Sequence, residues 1–459
     1  YGYLKIIEKC YSNYGYVPEY IQRTLIYEIS WHLKWLLNHQ ERAFFLTDDQ
    51  KNEYIYNLKE VFKHIDKKTI INFELSGCWF FHKVGLISFF YLEKYDSYKK
   101  LVQIRYFSRE IGFESFTIDG KDVTPVFAKK ISHDFLGHEL VIERRAWFKI
   151  DNGNKINFRL SNVPTRLSLA GKQSTSGVAI SDIVKHFNSI IPQYKKVHKY
   201  NGSWLLMDRD TQADDNAEHL YRYIRDHRPE QRIFFVLRKD SHDWERLKND
   251  GFNLLDFSSH EHELAMQSCS KIISSHADKY VTNYLGPRML EGRHYVFLQH
   301  GVTKDDISNW LNQKENIDCL ITASPYEYNS FVDDGTRYFY NQKEVALTGF
   351  PRHDKLVRKS NECERLIIIM PTWRNSIVGS TVSEGNIRQL NPDFMKTKFA
   401  TCWYSFIHSN VLKELSDKYN FKIAFFPHAN IQPYLPLFET PDYIEIISHT
   451  SGSIQNIFN

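Results

Sequence analysis

The spacing of apolar positions changes twice along the chain, and each change predicts a different kind of element. Up to about residue 68 the period is helical. Ile21, Leu25, Ile26, Ile29 and Leu33 form one stripe, and Tyr54, Leu58, Val61, Phe62 and Ile65 form another. The second stripe follows Thr47-Asp48-Asp49-Gln50, a capping-box pattern that opens a helix. From about residue 69 the period is two. Leu140, Ile142, Ala146, Phe148 and Ile150 alternate with mostly charged residues, and Ile156, Phe158 and Leu160 alternate beyond Asp151-Asn152-Gly153. That reads as a hairpin with a tight turn. With the similar stretch ESFTIDGKDVTPV, it predicts a β-sandwich-like accessory domain over 69–170, behind a helical linker region over 1–68. No catalytic constellation is visible in it.

Residues 171–200 read as a connecting segment: the loop GKQSTSG, a short helix and a lysine-rich stretch. After Asn201 short apolar runs alternate with amphipathic stretches such as AEHLYRYIRDH. The runs are Trp204–Met207, Ile233–Leu237, Lys271–Ser274, Tyr295–Leu298, Cys319–Thr322, Val345–Leu347, Leu366–Met370 and Lys422–Phe426. Strand–helix alternation implies parallel sheets in an α/β fold. Two Rossmann-like halves, 201–348 and 349–459, are the economical reading.

In open α/β sheets ligands sit outside the carboxyl ends of the strands. The residues there are Ser274-Ser275-His276, Gln299-His300-Gly301, Ser324-Pro325-Tyr326-Glu327, Thr348 to Asp354, Pro371-Thr372-Trp373-Arg374 and Pro427-His428. A single histidine after a strand is usually a surface or satisfied core group, and a loop arginine usually makes a weak surface ion pair. Several of them converging on strand ends, with Arg374 directly after Trp373, suit transfer at a phosphate. A guanidinium offers a planar fork to phosphate oxygens. One neutral histidine can take a proton from an attacking hydroxyl, and a second can steady the developing charge.

Composition narrows the classes further. A chain of 459 residues is too long for one ordinary core. A net charge of +4 falls short of a nucleic-acid footprint. The six cysteines are scattered without CxxC or metal-ligand spacing, as reduced thiols would be. Asp214-Asp215 precedes a helix and reads as a cap. His260, His262 and Glu263, the nearest approach to a metal cluster, read as a solvated helix start. No run of 18 apolar residues and no signal peptide is present. The opening Tyr-Gly-Tyr reads as the start of a piece of a longer chain.

Four stretches, QHG (299–301), TGFPRHDKL (348–356), IIIMPTWR (367–374) and FFPHAN (425–430), occur in this order and together resemble the CDP-glycerol glycerophosphotransferase family, the teichoic acid polymerases and related capsule polymerases. The resemblance runs from about Ser203 to the end and is nearest to the transferase module of capsule polymerases. It implies a GT-B pair of Rossmann-like domains with the active site between them. The activity implied is transfer of ribitol phosphate or glycerol phosphate from a CDP-polyol to an acceptor hydroxyl of a saccharide or polyol-phosphate polymer. His300 falls on the family's general base and His428 on the histidine at the donor's phosphates. Arg374, Arg352 and Asp354 fall on cleft-lining motif positions, and Thr372, Gly301 and Ser324 join them as donor- or phosphate-binding candidates. No metal and no cofactor is implied, the CDP-polyol being a substrate.

The family typically has Trp before His-Gly where this chain has Gln299. Its TDYSS-type CDP-binding segment would follow SIQNIFN, so the second half is expected to be incomplete, its last helix (SGSIQNIF) poorly covered. The helical start resembles the joint after a glycosyltransferase domain in fused members, which implies further transferase domains in the parent chain. A cytoplasmic location, with a peripheral position at the inner membrane face, goes with this reading. The competing readings are a GT-B glycosyltransferase using a nucleotide sugar and a non-catalytic glycan-binding scaffold.

Overall fold

A computed structural model describes residues 2–73, 90–108, 114–150, 153–160, 163–164, 167–314, 316–359, 365–380 and 388–448. The stretch SGSIQNIF lies outside the described residues. The chain forms two compact units. One comprises Tyr1–Leu205 with Glu263–Gly349, the other Leu206–His262 with Phe350–Asn459.

The first unit begins with helices Gly2–Tyr14, Glu19–Leu36 and Asp48–Phe62. The expected capping box is present: Gln50 N–H donates to the Thr47 hydroxyl at 3.2 Å, and Thr47 N–H to the Gln50 side chain at 2.9 Å. The helical stripes bury Leu25, Ile26, Ile29, Leu33 and Val61 together, against Phe135 and Leu136 of the β-rich part.

Among the described residues that part has two sheets. Its strands are β1 (Phe90–Asp96), β2 (Leu101–Ser108), β3 (Glu114–Ile118), β4 (Lys121–Val123), β5 (Phe127–Phe135), β6 (His138–Lys149), β7 (Lys155–Leu160), β8 (Val163–Pro164), β9 (Leu167–Leu169), β10 (Lys172–Ser174) and β11 (Val178–Ala179). One sheet has the order β10-β9-β1-β2-β6-β5, the other β11-β7-β3-β4 with β8 on β7. Val102, Ile104, Ala146 and Phe148 of the first meet Phe116, Ile118, Ile156 and Phe158 of the second in one core.

The expected hairpin between 140–150 and 156–160 is therefore corrected. β6 pairs with β2 and β5, whereas β7 pairs with β3, β8 and β11. Alternation reports that one face is buried but not which strand lies alongside. Gly153 is needed for packing: a Cβ there would lie 2.1 Å from Ile118 Cγ2.

Helix Ile180–Ser189 leads to the strands β12 (Trp204–Met207), β13 (Ile233–Leu237), β14 (Leu254–Asp256), β15 (Lys271–Ser274), β16 (His294–Phe297), β17 (Cys319–Thr322) and β18 (Val345–Leu347). In the first unit β15, β16, β17 and β18 pair in that order, all parallel. The β-rich part is fastened to this unit's loops. Buried Lys129 of β5 donates to Phe331 O and to Thr336 Oγ1, Lys130 N–H donates to Asp334, and Asp96 pairs with Lys343 at 3.1 Å. Burial pulls the Lys129 pKa down to about 7 despite Asp334 and Asp333 nearby.

In the second unit β13 and β14 pair in parallel, as do β19 (Leu366–Ile369), β20 (Lys422–Phe425) and β21 (Ile444–Ile446). Ile369, Phe394, Ile423, Phe425, Tyr434 and Phe438 form a core on this smaller sheet. His262 corrects the reading of a solvated helix start. Its ring is fully buried near Phe257, its Nδ1 accepts from Ser258 N–H, and burial lowers its pKa to about 4. A helix period of 3.6 does not reveal which turn of a short helix faces inward.

Buried charge also organises the second unit. Glu218, on helix Asn216–His227, accepts both Nη groups of Arg246 at 2.8 and 2.9 Å and Arg222 Nη2 at 2.6 Å. Burial alone would raise its pKa, but the hydrogen bonds and charges of Arg246 and Arg222 outweigh it and hold the carboxyl at about 2. Its ordinary value is 4.5, so this stabilisation is complete above that pH and is lost as pH falls from 4.5 towards about 2. The wild-type protein is expected to hold a stability margin over Glu218→Gln at neutral pH and to lose it through that acid window. Denaturant melts of both proteins across the range test this; a margin independent of pH would refute it.

Candidate active site

The first unit's strands end in register, with Ser274 beside Phe297, Phe297 beside Leu320, and Thr322 beside Leu347. After β16 the chain makes a sharp turn through Gln299, whose φ of 55° is left-handed. A non-glycine residue there costs roughly 1–2 kcal/mol. The Gln299 amide offsets it: Nε2 donates to Ile321 O at 2.6 Å, and Oε1 accepts from the Thr303 hydroxyl at 2.9 Å. Glu327, buried on helix Pro325–Val332, accepts from Thr303 N–H and Ala323 N–H, each at 2.7 Å. The loops after β16 and β17 are thus pinned to one another.

The turn presents His300. Its Nδ1 lies 3.2 Å from Ser275 O. A carbonyl only accepts, so Nδ1 carries a proton, and in the neutral ring the lone pair lies on Nε2. The His276 ring stacks on it, 4.6 Å between centroids and 12° between planes. His276 is buried, its backbone N–H donates to Ser274 Oγ, and its carbonyl accepts from the Tyr295 hydroxyl. Gly301 does not have a left-handed φ, and a Cβ there would meet nothing within 4 Å, so the space in front of the turn is open. Ser324 caps its helix, accepting from Glu327 N–H at 3.2 Å.

In the second unit Ile369 lies beside Phe425, and Phe425 beside Ile446. The residues after β19 and β20 share one carboxyl edge, and His428 N–H donates to Pro371 O at 3.0 Å. Asn430 N–H donates to His428 Nδ1 at 3.2 Å, which leaves the ring's proton on Nε2. Desolvation, and then the charge of Arg209, lower the His428 pKa, so the ring is neutral near pH 7. The Trp373 ring lies 5.7 Å from His428, and the Arg388 guanidinium 4.6 Å over Trp373. Thr372 and Arg374 are exposed, Arg374 donating to Trp373 O.

Arg352 is placed differently: it pairs with Asp215 at 2.6 Å. Asp215 caps helix Asn216–His227, as its position before the helix implied, and buried Asp208 accepts three further N–H groups of that turn. Asp354 is exposed in the first turn of helix His353–Lys359. Histidine 300, Gly301 and Ser324 therefore lie at the carboxyl edge of one unit. Thr372, Arg374 and His428 lie at the carboxyl edge of the other, and Arg352 and Asp354 at a helix start.

Two residues join them that motif reading did not select. His276 had its strand-end position as a signal. Arg388 had none, since it lies 19 positions after the end of β19. Among the described residues no three His, Cys, Asp or Glu side chains gather as a metal-holding group, and no helix is long and apolar enough to cross a membrane.

Imidazoles at the carboxyl ends of parallel strands in both units, with guanidinium groups at that edge of the second, mark a mixed α/β protein. Residues 190–459 match the family described as CDP-glycerol:poly(glycerophosphate) glycerophosphotransferase, and the chain belongs to that family. It is 38% identical over 262 residues to the minor teichoic acid biosynthesis protein GgaB of Bacillus subtilis (strain 168), covering 56% of this chain. The match spans 28% of the length of GgaB. Among solved structures it is similar to the wall teichoic acid polymerase TagF, with a TM-score of 0.39 and 16% identity, covering 60% of this chain and 69% of that one. For MurG of Acinetobacter baumannii the TM-score is 0.26 and the identity 10%, covering 56% and 70%.

Proposed function

We propose that this protein transfers a polyol phosphate, glycerol phosphate or ribitol phosphate, from a CDP-polyol to an acceptor hydroxyl in the synthesis of a teichoic-acid-like or capsular polymer. With this reading go the GT-B class for the parallel-sheet portions and the β-sandwich class for the accessory sheets. The observation that carries the chemistry is the contact between His300 Nδ1 and Ser275 O at 3.2 Å. In the neutral ring this contact leaves the lone pair on Nε2, the arrangement a general base needs.

His300 Nε2 takes the acceptor hydroxyl proton as that oxygen bonds to the polyol-bearing phosphorus. The bond from this phosphorus to the CMP oxygen breaks, and CMP leaves. The Ser275 carbonyl supports the imidazolium that forms. In the second unit neutral His428, with an Nε2–H to donate, and the planar fork of Arg374 are groups suited to the oxygens of a phosphate. Arg388, held on Trp373, adds positive charge at that edge.

Support comes from membership of the family together with the two opposite imidazole tautomers: one poised to accept a proton, the other to donate a hydrogen bond. The test supplies CDP-glycerol, CDP-ribitol and a UDP-sugar separately, with an acceptor oligomer, and follows nucleotide release. Acceptor-dependent CMP release from a CDP-polyol is the expected result. Turnover of the UDP-sugar alone would overturn the reading. A second expected outcome concerns Arg374→Lys. One ammonium cannot replace the fork, so use of the CDP-polyol should weaken while acceptor affinity holds. Weaker acceptor binding with unchanged donor kinetics would move Arg374 to the acceptor.

A further inference from the structure

An open groove of about 600 Å³ begins two residues beyond His300, between the loop 302–306 and the segment 324–338. We infer that it binds the terminal sugar or polyol of the acceptor, through its hydroxyls and by stacking on Tyr326. This rests on the transfer reading above, and it assigns a site and a ligand chemistry to residues that reading does not use.

The groove is firmly built. Its floor is the Glu327 carboxylate, which ties the loops after β16 and β17 together through Thr303 N–H and Ala323 N–H. Asp306 accepts from Ser308 N–H at 2.9 Å and pairs with Arg337 at 3.4 Å, and the Tyr338 hydroxyl accepts from Ile307 N–H. The far wall is braced from the accessory sheets: Lys129 donates to Thr336 Oγ1 at 2.8 Å, and Gly335 N–H to Lys130 O at 3.0 Å. This gives the β-rich part a task, holding one wall of the groove.

The lining selects the ligand. Lys304 and Arg337 are outnumbered by Asp305, Asp306 and the Glu327 carboxylate, so the groove has no surplus positive charge for a nucleoside diphosphate or a run of polymer phosphates. Planar carboxylate and guanidinium groups each present paired acceptors or donors, which suits neighbouring hydroxyls. Tyr326, in the first turn of its helix, is 89% exposed on the rim. An open aromatic face beside hydroxyl-directed side chains fits the apolar face of a sugar ring or polyol chain. The volume lies in the usual range for small-ligand sites, about 300–1,000 Å³.

Binding without turnover tests this. Methyl α-D-glucopyranoside, methyl 2-acetamido-2-deoxy-α-D-glucopyranoside and ribitol are titrated by saturation-transfer NMR against wild type, Tyr326→Ala and Tyr326→Phe, with CDP titrated in parallel. The wild-type protein should bind at least one of these probes. Its affinity should fall at least about tenfold in Tyr326→Ala, about 1.4 kcal/mol, and stay within about twofold in Tyr326→Phe, while CDP affinity is the same in all three. Weaker CDP binding in Tyr326→Ala would make the groove a nucleotide site. Wild-type binding of no probe, or binding indifferent to Tyr326, would also overturn the inference. Probe binding that depends on Tyr326, without CMP release from any CDP-polyol, would sink the transfer reading and leave the groove standing.

Discussion

Replacing His300 by alanine is expected to lower acceptor-dependent CMP release by about 10²–10⁴-fold, the usual worth of a positioned general base. The fold should not notice. His300 is exposed, and the turn that carries it is held by Gln299, Thr303 and Glu327 rather than by the imidazole. Glutamine at the same position should be as inactive as alanine, because it can donate to the Ser275 carbonyl but has no basic lone pair to take a proton. Steady-state rates and melting temperatures of wild type and both variants decide the matter. Activity within a few-fold of wild type, at an unchanged melting temperature, would remove His300 from the role.

The largest expected effect on stability lies far from that edge, at Glu143 of β6. Its carboxylate is fully buried and meets Arg105 at 2.8 Å, Arg145 at 2.6 Å and His133 at 2.8 Å. Burial would raise its pKa, but the charges of Arg145 and Arg105 win and hold it far below the ordinary carboxylate range. Alanine would strand two guanidinium groups inside the β-rich part, a loss of roughly 3–5 kcal/mol. Arg145 also lies 4.0 Å over the Phe339 ring, so the damage should reach the segment after helix Pro325–Val332. Denaturant unfolding measures the loss, and hydrogen exchange over residues 331–344 locates it. A change under about 1 kcal/mol would mean that water reaches the arginines once the carboxylate is gone.

Much of this protein was legible because the relevant signals are local. The 3.6-residue stripes and the Thr47–Gln50 box marked the first helices. Short apolar runs marked β12, β13, β15 and β17 to the residue, since a buried parallel strand needs an unbroken apolar stretch. The order of QHG, GFPRHD, PTWR and FFPHAN pointed to the family that residues 190–459 match. Strand partners were not legible. β6 and β7 have the alternation of a hairpin, yet they entered different sheets, because alternation is satisfied by any strand that covers the buried face. His262 was misread for a related reason: polar neighbours in sequence say little about what packs on a ring from elsewhere in the chain.

The candidate site divides along the same line. Residue type and strand-end position were enough to select His300, His428 and Arg374, for those depend on a few neighbours in sequence. For His300 the partner is tertiary: the Ser275 carbonyl, one strand away, holds a proton on Nδ1, whereas for His428 it is local, Asn430 N–H two residues on donating to Nδ1. The stack of His276 on His300, the Arg388 guanidinium over Trp373 and the bond between Arg352 and Asp215 join residues 15 or more positions apart. The sequence by itself therefore determined which groups stand at the ends of strands, through the local rules of helix, strand and turn. Which nitrogen of His300 faces a carbonyl, and which arginine is already paired, were decided only by the tertiary structure, because those partners lie close in space and far apart along the chain.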